Sequence, residues 1–555
     1  MINCKNCSAQ FEFTQSEAEL TDRVAPIIDG KILSIPEPSH CPDCRQQRRL
    51  AWRNERNLYK RMCDLCKSSM LSIYNEKAPF PVYCQPCWWS DKWDPMIYGR
   101  TYDFSRSFFE QFKDLQNTVP HMAMLTLQNE NSEFTNNVTH LKNCYLLFSS
   151  DFNRDCYYGV WIENSNDWLD NLMINKCQLT HEAFFSDNVY NSTYIINSSL
   201  CRDSAFLFDC SNCSDCFMSY GLRNKQYHIN NKEYSKEDYY KEMEKLSLGS
   251  YKTYEAVKKK FVEMIKEAAC MHMWRNGRVI ESSGAFLADV MNCKDSFEII
   301  EGRDCKYVQG GYQIKDAHDC CYVNGELGYE NCECFPMPQK SAFNANCYNG
   351  NDLYYNEMCM NDNKNIFGNV SLKKKQYCIL NKEYSKEEYE KLVPQIVESM
   401  KTAGEWGEFF PITSSTFAYN ETNANEFFPI TKEAAIEKGY SWKEREATEY
   451  QASSYTIPDD IKDVPDNIID AKLSCISCNK NYKIIAQELR LLKQINLPIP
   501  RKCFECRLGD RSKIRVGRKL YLRACAECKK EIETNFPDEH PQKIFCEECY
   551  LKKVY

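Results

Sequence analysis

The sequence predicts a β-rich α+β protein: a two-part β-solenoid, similar to a parallel β-helix, flanked by N- and C-terminal cysteine-rich modules of the treble-clef or zinc-ribbon type. Three observations predict this architecture. Cysteine pairs are concentrated near both termini, short β-favouring runs with Asn-Cys or Asp-Cys dipeptides fill the middle, and one sequence repeat ends each half of that middle. At 555 residues the chain exceeds a single hydrophobic core, which indicates several domains.

Composition changes along the chain indicate the segment boundaries. We predict an N-terminal double zinc module (1–98), a helical linker (99–135), the first solenoid half (136–222), a cap with a helical insertion (223–282), the second solenoid half (283–371), a cap helix (372–402), an acidic connector (403–470) and a C-terminal double zinc module (471–555). The connector contains two Glu-Phe-Phe-Pro-Ile-Thr repeats, at 408–413 and 426–431. Adjacent aromatic rings need cover, so we expect the repeats to dock within the protein, with partner binding as the alternative.

Eight Cys-x-x-Cys pairs carry the metal-binding signal. Their members are Cys4, Cys7, Cys41, Cys44, Cys63, Cys66, Cys84, Cys87, Cys475, Cys478, Cys503, Cys506, Cys525, Cys528, Cys546 and Cys549, and the six from 41 to 87 recur at an offset of 462 residues. Two pairs supply the four thiolates of a closed structural zinc site, so we expect about four structural Zn²⁺ ions. The second pair of each set leads into helix-like sequence, as in treble clefs and zinc ribbons. How the pairs combine into sites, and a redox role for them, stay open.

The middle of the chain has the periodicity of a solenoid. In its second half the cysteines at 293, 305, 320, 332, 347 and 359 alternate between spacings of 12 and 15 residues, which predicts a coil of about 27 residues with two dipeptides each. Asn or Asp would form the turn and Cys would point inward, with Trp168 and Ser192 replacing cysteine in the first half. An antiparallel meander is the alternative. Cys210, Cys213 and Cys216 fit either the inward ladder or a further metal or cluster site.

The two solenoid halves end in nearly the same sequence. Residues 225–241 match residues 375–391 at 13 of 17 positions. We predict a strand pair followed by a helix capped at Ser235 or Ser385, closing the open end of each solenoid. A further helix is expected from Tyr254 to Arg275.

Five arginines are kept in both copies of the cysteine module. They are Arg45, Arg49, Arg53, Arg56 and Arg61, and, 462 residues later, Arg507, Arg511, Arg515, Arg518 and Arg523. On a helix the first four of each set would share one face. One hypothesis is a phosphate-contacting surface that binds nucleic acid or a ribonucleoprotein. The alternatives are that the arginines balance zinc–thiolate charge by bonding to sulfur or to the acidic connector, or that they bind a protein partner.

Enzyme signatures are weak, so we expect a scaffold more than a catalyst. The chain has eight histidines and no GxxxxGK[ST], HExxH or GxSxG motif. A structural or protein-assembly component, with zinc and solenoid purely architectural, is the second functional hypothesis, and a β-helix carbohydrate-active enzyme is the third. The net charge of -8 does not indicate nucleic acid by itself. With no apolar run of membrane length and no signal peptide, we expect a cytoplasmic protein with reduced thiols and no membrane partner.

Several of these motifs also carry a resemblance. The run from Cys41 through Arg61, the Trp88-Trp89 pair, the Asn-Lys-x-Tyr-Ser-Lys-Glu repeats and residues 419–422 resemble uncharacterised zinc-ribbon proteins of candidate-phyla-radiation bacteria. The resemblance spans most of the chain. It implies treble-clef zinc binding and supplies no activity to carry over.

Overall fold

The computed structural model describes residues 1–444, 450, 451, 453, 455–515 and 517–555. These form two compact units. The first contains residues 1–124, 273–444 and 518–520, and the second contains residues 125–272, 445–517 and 521–555. The N-terminal cysteine module therefore shares a unit with the second solenoid half, and most of the C-terminal module shares one with the first half. This pairing was not predicted from the sequence.

The helices and strands are numbered in chain order. The α-helices are α1 (Gln15–Val24), α2 (Pro42–Leu50), α3 (Gln85–Trp89), α4 (Phe108–Gln116), α5 (Lys236–Met243), α6 (Tyr251–Met264), α7 (Lys386–Ala403), α8 (Asn423–Phe427), α9 (Lys432–Glu437), α10 (Ala486–Gln494), α11 (Phe504–Ser512) and α12 (Glu547–Val554). Before the first solenoid the strands are β1 (Ile2–Asn3), β2 (Gln10–Phe11), β3 (Ile27–Ile28), β4 (Lys31–Ile32), β5 (Tyr59–Met62), β6 (Ser69–Ser72), β7 (Val82–Tyr83) and β8 (His121–Met122).

The remaining strands build the solenoids and the C-terminal module. The first solenoid comprises β9 (Thr126–Leu127), β10 (Asn136–Thr139), β11 (Tyr145–Asp151), β12 (Arg154–Glu163), β13 (Asn166–Leu169), β14 (Leu172–Asn175), β15 (Gln178–Asp187), β16 (Tyr190–Ile196), β17 (Ala205–Phe208), β18 (Ser214–Tyr220), β19 (Gln226–Ile229) and β20 (Lys232–Glu233). After β21 (Ala269–Met271), the second comprises β22 (Arg275–Ile280), β23 (Gly284–Lys294), β24 (Ser296–Lys306), β25 (Gln309–His318), β26 (Cys321–Tyr329), β27 (Cys332–Cys334), β28 (Gln339–Ala342), β29 (Tyr348–Tyr354), β30 (Met360–Phe367), β31 (Gln376–Ile379) and β32 (Lys382–Glu383). The C-terminal module adds β33 (Leu473–Ser474), β34 (Asn481–Tyr482), β35 (Tyr521–Ala524), β36 (Glu531–Thr534) and β37 (Lys543–Phe545).

Both solenoids are stacks of parallel coils, which confirms the predicted β-solenoid and excludes the antiparallel meander. In the first, Tyr145 pairs with Tyr157, and Cys156 pairs with Trp168 in the next coil, a constant sequence step of 12. Every third residue along β11 has a left-handed backbone, as at Leu146 (φ 53°) and Ser149 (φ 48°). A coil is therefore four short sides joined at four corners.

The predicted coil length is wrong. Cys293 lies in register with Cys305, and Cys305 with Ala317, so a sequence step of 12 is one complete coil. Cys320 stands three residues beyond Ala317, on the next side of the same coil. A spacing of 12 keeps Cys305 in the column of Cys293, and Cys359 in the column of Cys347. The coil after Cys320 is shorter, since Cys321 pairs with Cys332, so Cys332 lies in the column of Cys321 and not of Cys320.

Interior columns follow the predicted rule for turn and core residues. Asn143 and Asp155 sit at left-handed corners, with φ of 55° and 56°, and the cysteines that follow them are buried. Asn and Asp tolerate this conformation better than other residues with a side chain. The register also places Trp168 and Ser192 in the column of Cys156, through Thr180, as predicted.

A buried asparagine ladder in the second solenoid was not predicted. Asn344 donates its side-chain amide to the Asn331 carbonyl oxygen at 3.0 Å, and Asn356 and Asn369 repeat this contact coil by coil at 3.0 Å. All are fully buried. Stacked amides satisfy each other, which is how a polar column can run through a core.

The predicted ends of the two halves are confirmed. β19 pairs with β20, and β31 with β32, as antiparallel hairpins. The Ser235 hydroxyl accepts the Asp238 amide at 3.1 Å at the start of α5, and Ser385 forms a capping box with Glu388 at the start of α7. The helix predicted from Tyr254 to Arg275 is shorter: α6 ends at Met264, and strands β21 and β22 follow.

The first aromatic repeat of the connector docks inside the first unit, as predicted. Phe409 and Phe410 are buried, and Phe410 packs on Trp52 and Phe112 with ring centroids 4.9 and 4.5 Å apart. Phe427 and Phe428 of the second repeat pack against the same core. Among the described residues no helix has the length and hydropathy needed to cross a membrane.

Candidate metal centres and arginine clamps

Four groups of four cysteines could each hold a metal ion. They combine neighbouring pairs: Cys4, Cys7, Cys41 and Cys44; Cys63, Cys66, Cys84 and Cys87; Cys475, Cys478, Cys503 and Cys506; and Cys525, Cys528, Cys546 and Cys549. In each group the four sulfur atoms lie within 4.8 Å of one another. The pairing that the sequence left open is therefore between neighbours along the chain.

The same local structure positions every group. The first pair occupies the tip of a short hairpin, β1–β2, β5–β6, β33–β34 or β35–β36. The residue after each tip, Ser8, Lys67, Asn479 or Lys529, has φ close to 60°. The second pair begins a helix, with Cys41, Cys84, Cys503 and Cys546 as the N-cap residues of α2, α3, α11 and α12. The free amides of a first helical turn favour thiolate charge.

The sulfur geometry fits a tetrahedral metal ion. Metal–sulfur bonds of about 2.3 Å in a tetrahedron place the sulfurs about 3.8 Å apart. The Sγ atoms of Cys7 and Cys41 are 3.6 Å apart, and those of Cys66 and Cys84 are 3.8 Å apart. In the C-terminal module the matching separations are 3.6 and 3.7 Å. All cysteines among the described residues are free thiols, so none of these contacts is a disulfide.

Hydrogen bonds to sulfur complete the sites. The Cys84 amide donates to the Cys63 sulfur at 3.2 Å, and the Cys546 amide donates to the Cys525 sulfur at 3.3 Å. The Asn6 side chain donates to the Cys44 sulfur at 3.2 Å. Such donors stabilise the thiolate form that a metal ion requires.

Cys210, Cys213 and Cys216 do not form a comparable group. They occupy successive sides of one coil, and each thiol donates to the carbonyl oxygen two residues earlier at 3.2–3.4 Å. They belong to the apolar core of the first solenoid. Within the described part of the chain, only the four groups above have sulfurs close enough to share an ion. The ladder interpretation of these three cysteines is the one that the geometry favours.

Two of the duplicated arginines clasp one aspartate of the second solenoid. Arg45 Nη2 lies 2.7 Å from Asp319 Oδ2, and Arg49 Nη2 lies 3.1 Å from Asp319 Oδ1. All three side chains are about 1% exposed. Arg45 also lies over the ring of Tyr307, 5.6 Å from its centroid. Successive turns of α2 thus deliver one guanidinium to each oxygen of a buried carboxylate, which we call the arginine clamp.

A second carboxylate and the connector surround this clamp. Glu330, one coil after Asp319, accepts Arg49 Nη1 at 2.6 Å and Arg48 Nη2 at 3.2 Å. Arg48 also donates to Glu408 of the first connector repeat at 2.6 Å. Three guanidinium groups therefore face three carboxylates, the balance that a buried ionic cluster requires.

The remaining arginines of the N-terminal module bond within the same unit. Arg53 contacts Glu55 and Glu333 at 3.0 and 2.9 Å, and its guanidinium stacks 3.8 Å from the centroid of Tyr322. Arg56 forms an ion pair with Glu426 of the second connector repeat at 2.9 Å, and Arg61 forms one with Asp64 at 2.8 Å. None of these contacts is to a cysteine sulfur of the four groups.

The second unit repeats the clamp on the first solenoid. Arg507 and Arg511 of α11 donate to different oxygens of Asp170, which is 2% exposed. Arg507 lies over the ring of Tyr158, 4.5 Å from its centroid. Asp170 follows Tyr158 by one coil, as Asp319 follows Tyr307, so one carboxylate and one ring are equivalent in the two units.

The last three C-terminal arginines are also engaged. Arg515 stacks 4.4 Å from the centroid of Trp161, and Arg523 donates to the Pro537 carbonyl oxygen at 2.8 Å. Arg518 belongs to the first unit, where it pairs with Glu298 and donates to Gln309 at 2.7 Å.

The charged neighbours shift several carboxyl pKa values. Burial opposes ionisation of Asp319, but Arg45 and Arg49 outweigh it and hold its pKa below the ordinary value. In the second unit, burial raises the pKa of Glu488 on α10 to about 7, although Arg507 opposes this shift. Burial also opposes ionisation of Glu182, but Lys258 and His181 outweigh it and lower the pKa of this carboxyl to about 2.

The solenoid carboxylates are the functional partners that sequence reasoning missed. Asp319 precedes Cys320 in one of the Asp-Cys dipeptides, so a sequence signal for it was present. The interpretation of that dipeptide considered only the inward-pointing cysteine. Glu17 and Glu488 were also missed; they occupy the same position relative to the first cysteine of their modules, and each is at most 2% exposed. The phosphate-contacting surface is not supported, because all ten predicted arginines have side chains engaged with carboxylates or aromatic rings.

The comparisons with known proteins add no family. No protein-family model matches the chain, and no curated protein matches it. A solved structure from Desulfovibrio desulfuricans G20, of a protein assigned as an acetyltransferase, is similar at 9% identity over 51% of this chain and 82% of that one. Its TM-score is 0.10, so it carries no argument about fold or activity.

Proposed function

We propose that this protein is a zinc-stabilised architectural component, in which each terminal module locks a solenoid in place and presents it for protein assembly. The arginine clamp is the observation that carries this proposal. Positions kept through a duplication report a shared requirement, and here the requirement is a buried contact inside each unit. Clamp arginines buried against Asp319 and Asp170 cannot also bind phosphates.

We assign the metal as zinc. Four cysteine thiolates in tetrahedral reach are the ligand set of structural zinc sites, which have no open coordination position. Zinc bound there would supply a fixed crosslink between a hairpin and a helix, and no chemical step. The cysteines must be reduced to serve, which fits the cytoplasm.

Hydrogen exchange with and without a chelator tests the architectural role. We expect metal removal to expose the amides of α2 and also those of the solenoid strands around Asp319, because α2 delivers two of the charges that neutralise this carboxylate. The strands of the first solenoid around Asp170 should respond in the same way through α11. If only the cysteine modules lose protection, the modules are appendages and not locks.

A binding titration tests the nucleic-acid alternative directly. The zinc-loaded protein is titrated with labelled single-stranded RNA and duplex DNA at about 50 and about 200 mM salt, a range over which a phosphate-contacting surface of six or more cations would lose about 10³-fold or more in affinity. We expect no saturable micromolar binding, because the clamp arginines are engaged. Tight binding with a steep salt dependence, lost in the partly exposed Arg56→Gln variant, would instead support the nucleic-acid hypothesis.

A further inference from the structure

An open groove of about 590 Å³ lies in the second unit, on the corner edge of the first solenoid. Its floor comes from four successive coils, and its walls come from α5 and from the turn after α10. Its lining includes Asn191, Asp203, Asp215, Tyr239 and Tyr240, together with Ile495 and Leu497.

The floor of the groove is acidic. Asn191, Asp203 and Asp215 stand at the same corner of consecutive coils, which are about 4.8 Å apart. Asn191 donates to Asp203 Oδ1 at 2.7 Å, and the Tyr240 hydroxyl donates to Asp215 Oδ1 at 2.8 Å. The other oxygen of Asp203 has no side-chain partner among the described residues. No lysine or arginine lines the groove in this part of the chain, which disfavours an anionic ligand.

An independent sign of a ligand comes from Tyr239. This side chain is 4% exposed, and it contacts the rings of Tyr227 and Tyr240 at 5.8 and 5.4 Å. It lines the groove, and its hydroxyl has no hydrogen-bond partner within the described residues. The hydroxyl oxygen is not fully enclosed by protein, so it opens to the groove and can accept a hydrogen bond from a ligand.

The equivalent position in the first unit shows what chemistry this corner accepts. Asn191 lies three coils before Tyr227, and Lys340 lies three coils before Tyr377 in the matching repeat. Lys340 Nζ pairs with Asp352, the counterpart of Asp203, at 3.0 Å. In the first unit the ammonium group of Lys340 occupies this corner beside Asp352. In the second unit Asn191 stands at the equivalent position, and one oxygen of Asp203 is open.

We propose that the groove of the second unit binds a primary ammonium group, supplied by a small alkylamine or by a lysine side chain of a peptide. The Asp203 carboxylate pairs with this ammonium group as its counterpart Asp352 pairs with Lys340 in the first unit. The Tyr239 hydroxyl and Asp215 complete the three acceptors that an ammonium group needs. This site is independent of the architectural role proposed above, because no residue of either arginine clamp lines it.

Calorimetric titration of the zinc-loaded full chain tests the site. The probes are 1,5-diaminopentane and a short lysine-containing peptide, with 1,5-pentanediol as the uncharged control. We expect saturable binding of at least one amine and none of the diol. Binding of the diamine alone identifies a free amine as the source, and binding of the peptide alone identifies a lysine side chain. Failure of both amines to bind at millimolar concentration overturns the proposal.

Substitutions locate the site. Asn191→Lys transplants the first unit's own ammonium, and lysine already adopts this corner conformation at Lys340 with φ of 52°. It should abolish amine binding, and Asp203→Asn should weaken it about tenfold or more, the loss of about 1.4 kcal/mol. Asp352→Asn in the first unit is the matched control and should bind as wild type. Unchanged binding by Asn191→Lys, with an unchanged thermal midpoint, would show that the amine binds elsewhere and would overturn the assignment.

Discussion

The two units use the same arginine clamp but surround it differently. In the first, Glu330 lies one coil after the clamped Asp319 and takes Arg48 and Arg49 from the cysteine module. In the second, the carboxylate one coil after Asp170 is Glu182, and it pairs with Lys258 of α6 at 2.6 Å. The clamp is therefore the shared requirement, and the next carboxylate is neutralised by whichever cation its unit provides.

A single substitution explains the difference. The residue 462 positions after Arg48 is Asp510, so α11 carries no third guanidinium beside Arg507 and Arg511. The helical insertion after the first cap supplies Lys258 and the Tyr254 hydroxyl instead, the latter 2.6 Å from Glu182. Burial of a carboxylate demands a partner, but it does not specify which element brings it.

Loss of one metal ligand should have the largest effect on stability, and it should affect only the unit that contains the ligand. Cys44→Ser removes a ligand on α2, beside the first clamp, and Cys506→Ser does the same on α11. Structural zinc contributes roughly 10 to 16 kcal/mol per site at neutral pH, so each variant should unfold its own module and release its own clamp. Elemental analysis should fall from four metal ions per chain to three, with exchange protection lost in one unit only. Wild-type content of two or fewer ions would contradict the assignment of ligands.

Neutralising the clamped aspartate should destabilise its unit less than loss of a metal ligand does, and the destabilisation should be similar in both units. Asp319→Asn and Asp170→Asn each leave two buried guanidinium groups without their shared carboxylate, which should destabilise the unit by about 3–5 kcal/mol. Asparagine tolerates the left-handed corner, so the backbone is not disturbed. Asp362→Asn, at an exposed corner with φ of 56°, is the matched control and should change stability by less than about 0.5 kcal/mol. Equal effects of all three variants would argue against the clamp.

The smallest effect should distinguish the two neighbouring carboxylates by pH. The pKa of Glu182 is lowered to about 2 from an ordinary 4.5, so its contribution is present above pH 4.5 and is lost as the pH falls toward 2. We expect Glu182→Gln to cost at most about 3.5 kcal/mol at pH 7 and progressively less below pH 4.5, since each pKa unit corresponds to about 1.4 kcal/mol. Lys258→Met should reproduce this loss. Denaturation of both variants beside wild type, from pH 7 to pH 3, measures it, and a pH-independent difference would contradict the ion pair.

Local sequence signals predicted the elements well. Cysteine spacing predicted the eight pairs and the number of sites, because each pair uses only a hairpin tip or a helix start, both of which are local structures. The combination of pairs into four groups came from the structure. Asn-Cys and Asp-Cys dipeptides predicted a solenoid for a similar reason, since the corner and the inward side chain are adjacent. The coil length was misjudged because the cysteines change column, and a spacing alone cannot separate one coil plus a corner from part of a longer coil.

The sequence did not predict which residues pair in the folded unit, because those partners are distant along the chain. Arg45 and Asp319 are 274 residues apart, and nothing near either residue indicates the other. An arginine face on a helix has the same sequence pattern whether it meets phosphate, thiolate or a buried carboxylate. The choice depends on which solenoid the helix packs against, a property of the folded unit and not of the helix.

The most direct test of the clamp is a double-mutant cycle on Arg45 and Asp319, read from native-state hydrogen exchange of the α2 amides. Wild type, Arg45→Gln, Asp319→Asn and the double variant give four free energies of opening at pH 7 with metal bound. A shared buried ion pair predicts a coupling of about 2–3 kcal/mol, with the double variant less destabilised than the sum of the single variants. Additive effects within about 0.5 kcal/mol would mean that the two residues act independently and would contradict the clamp.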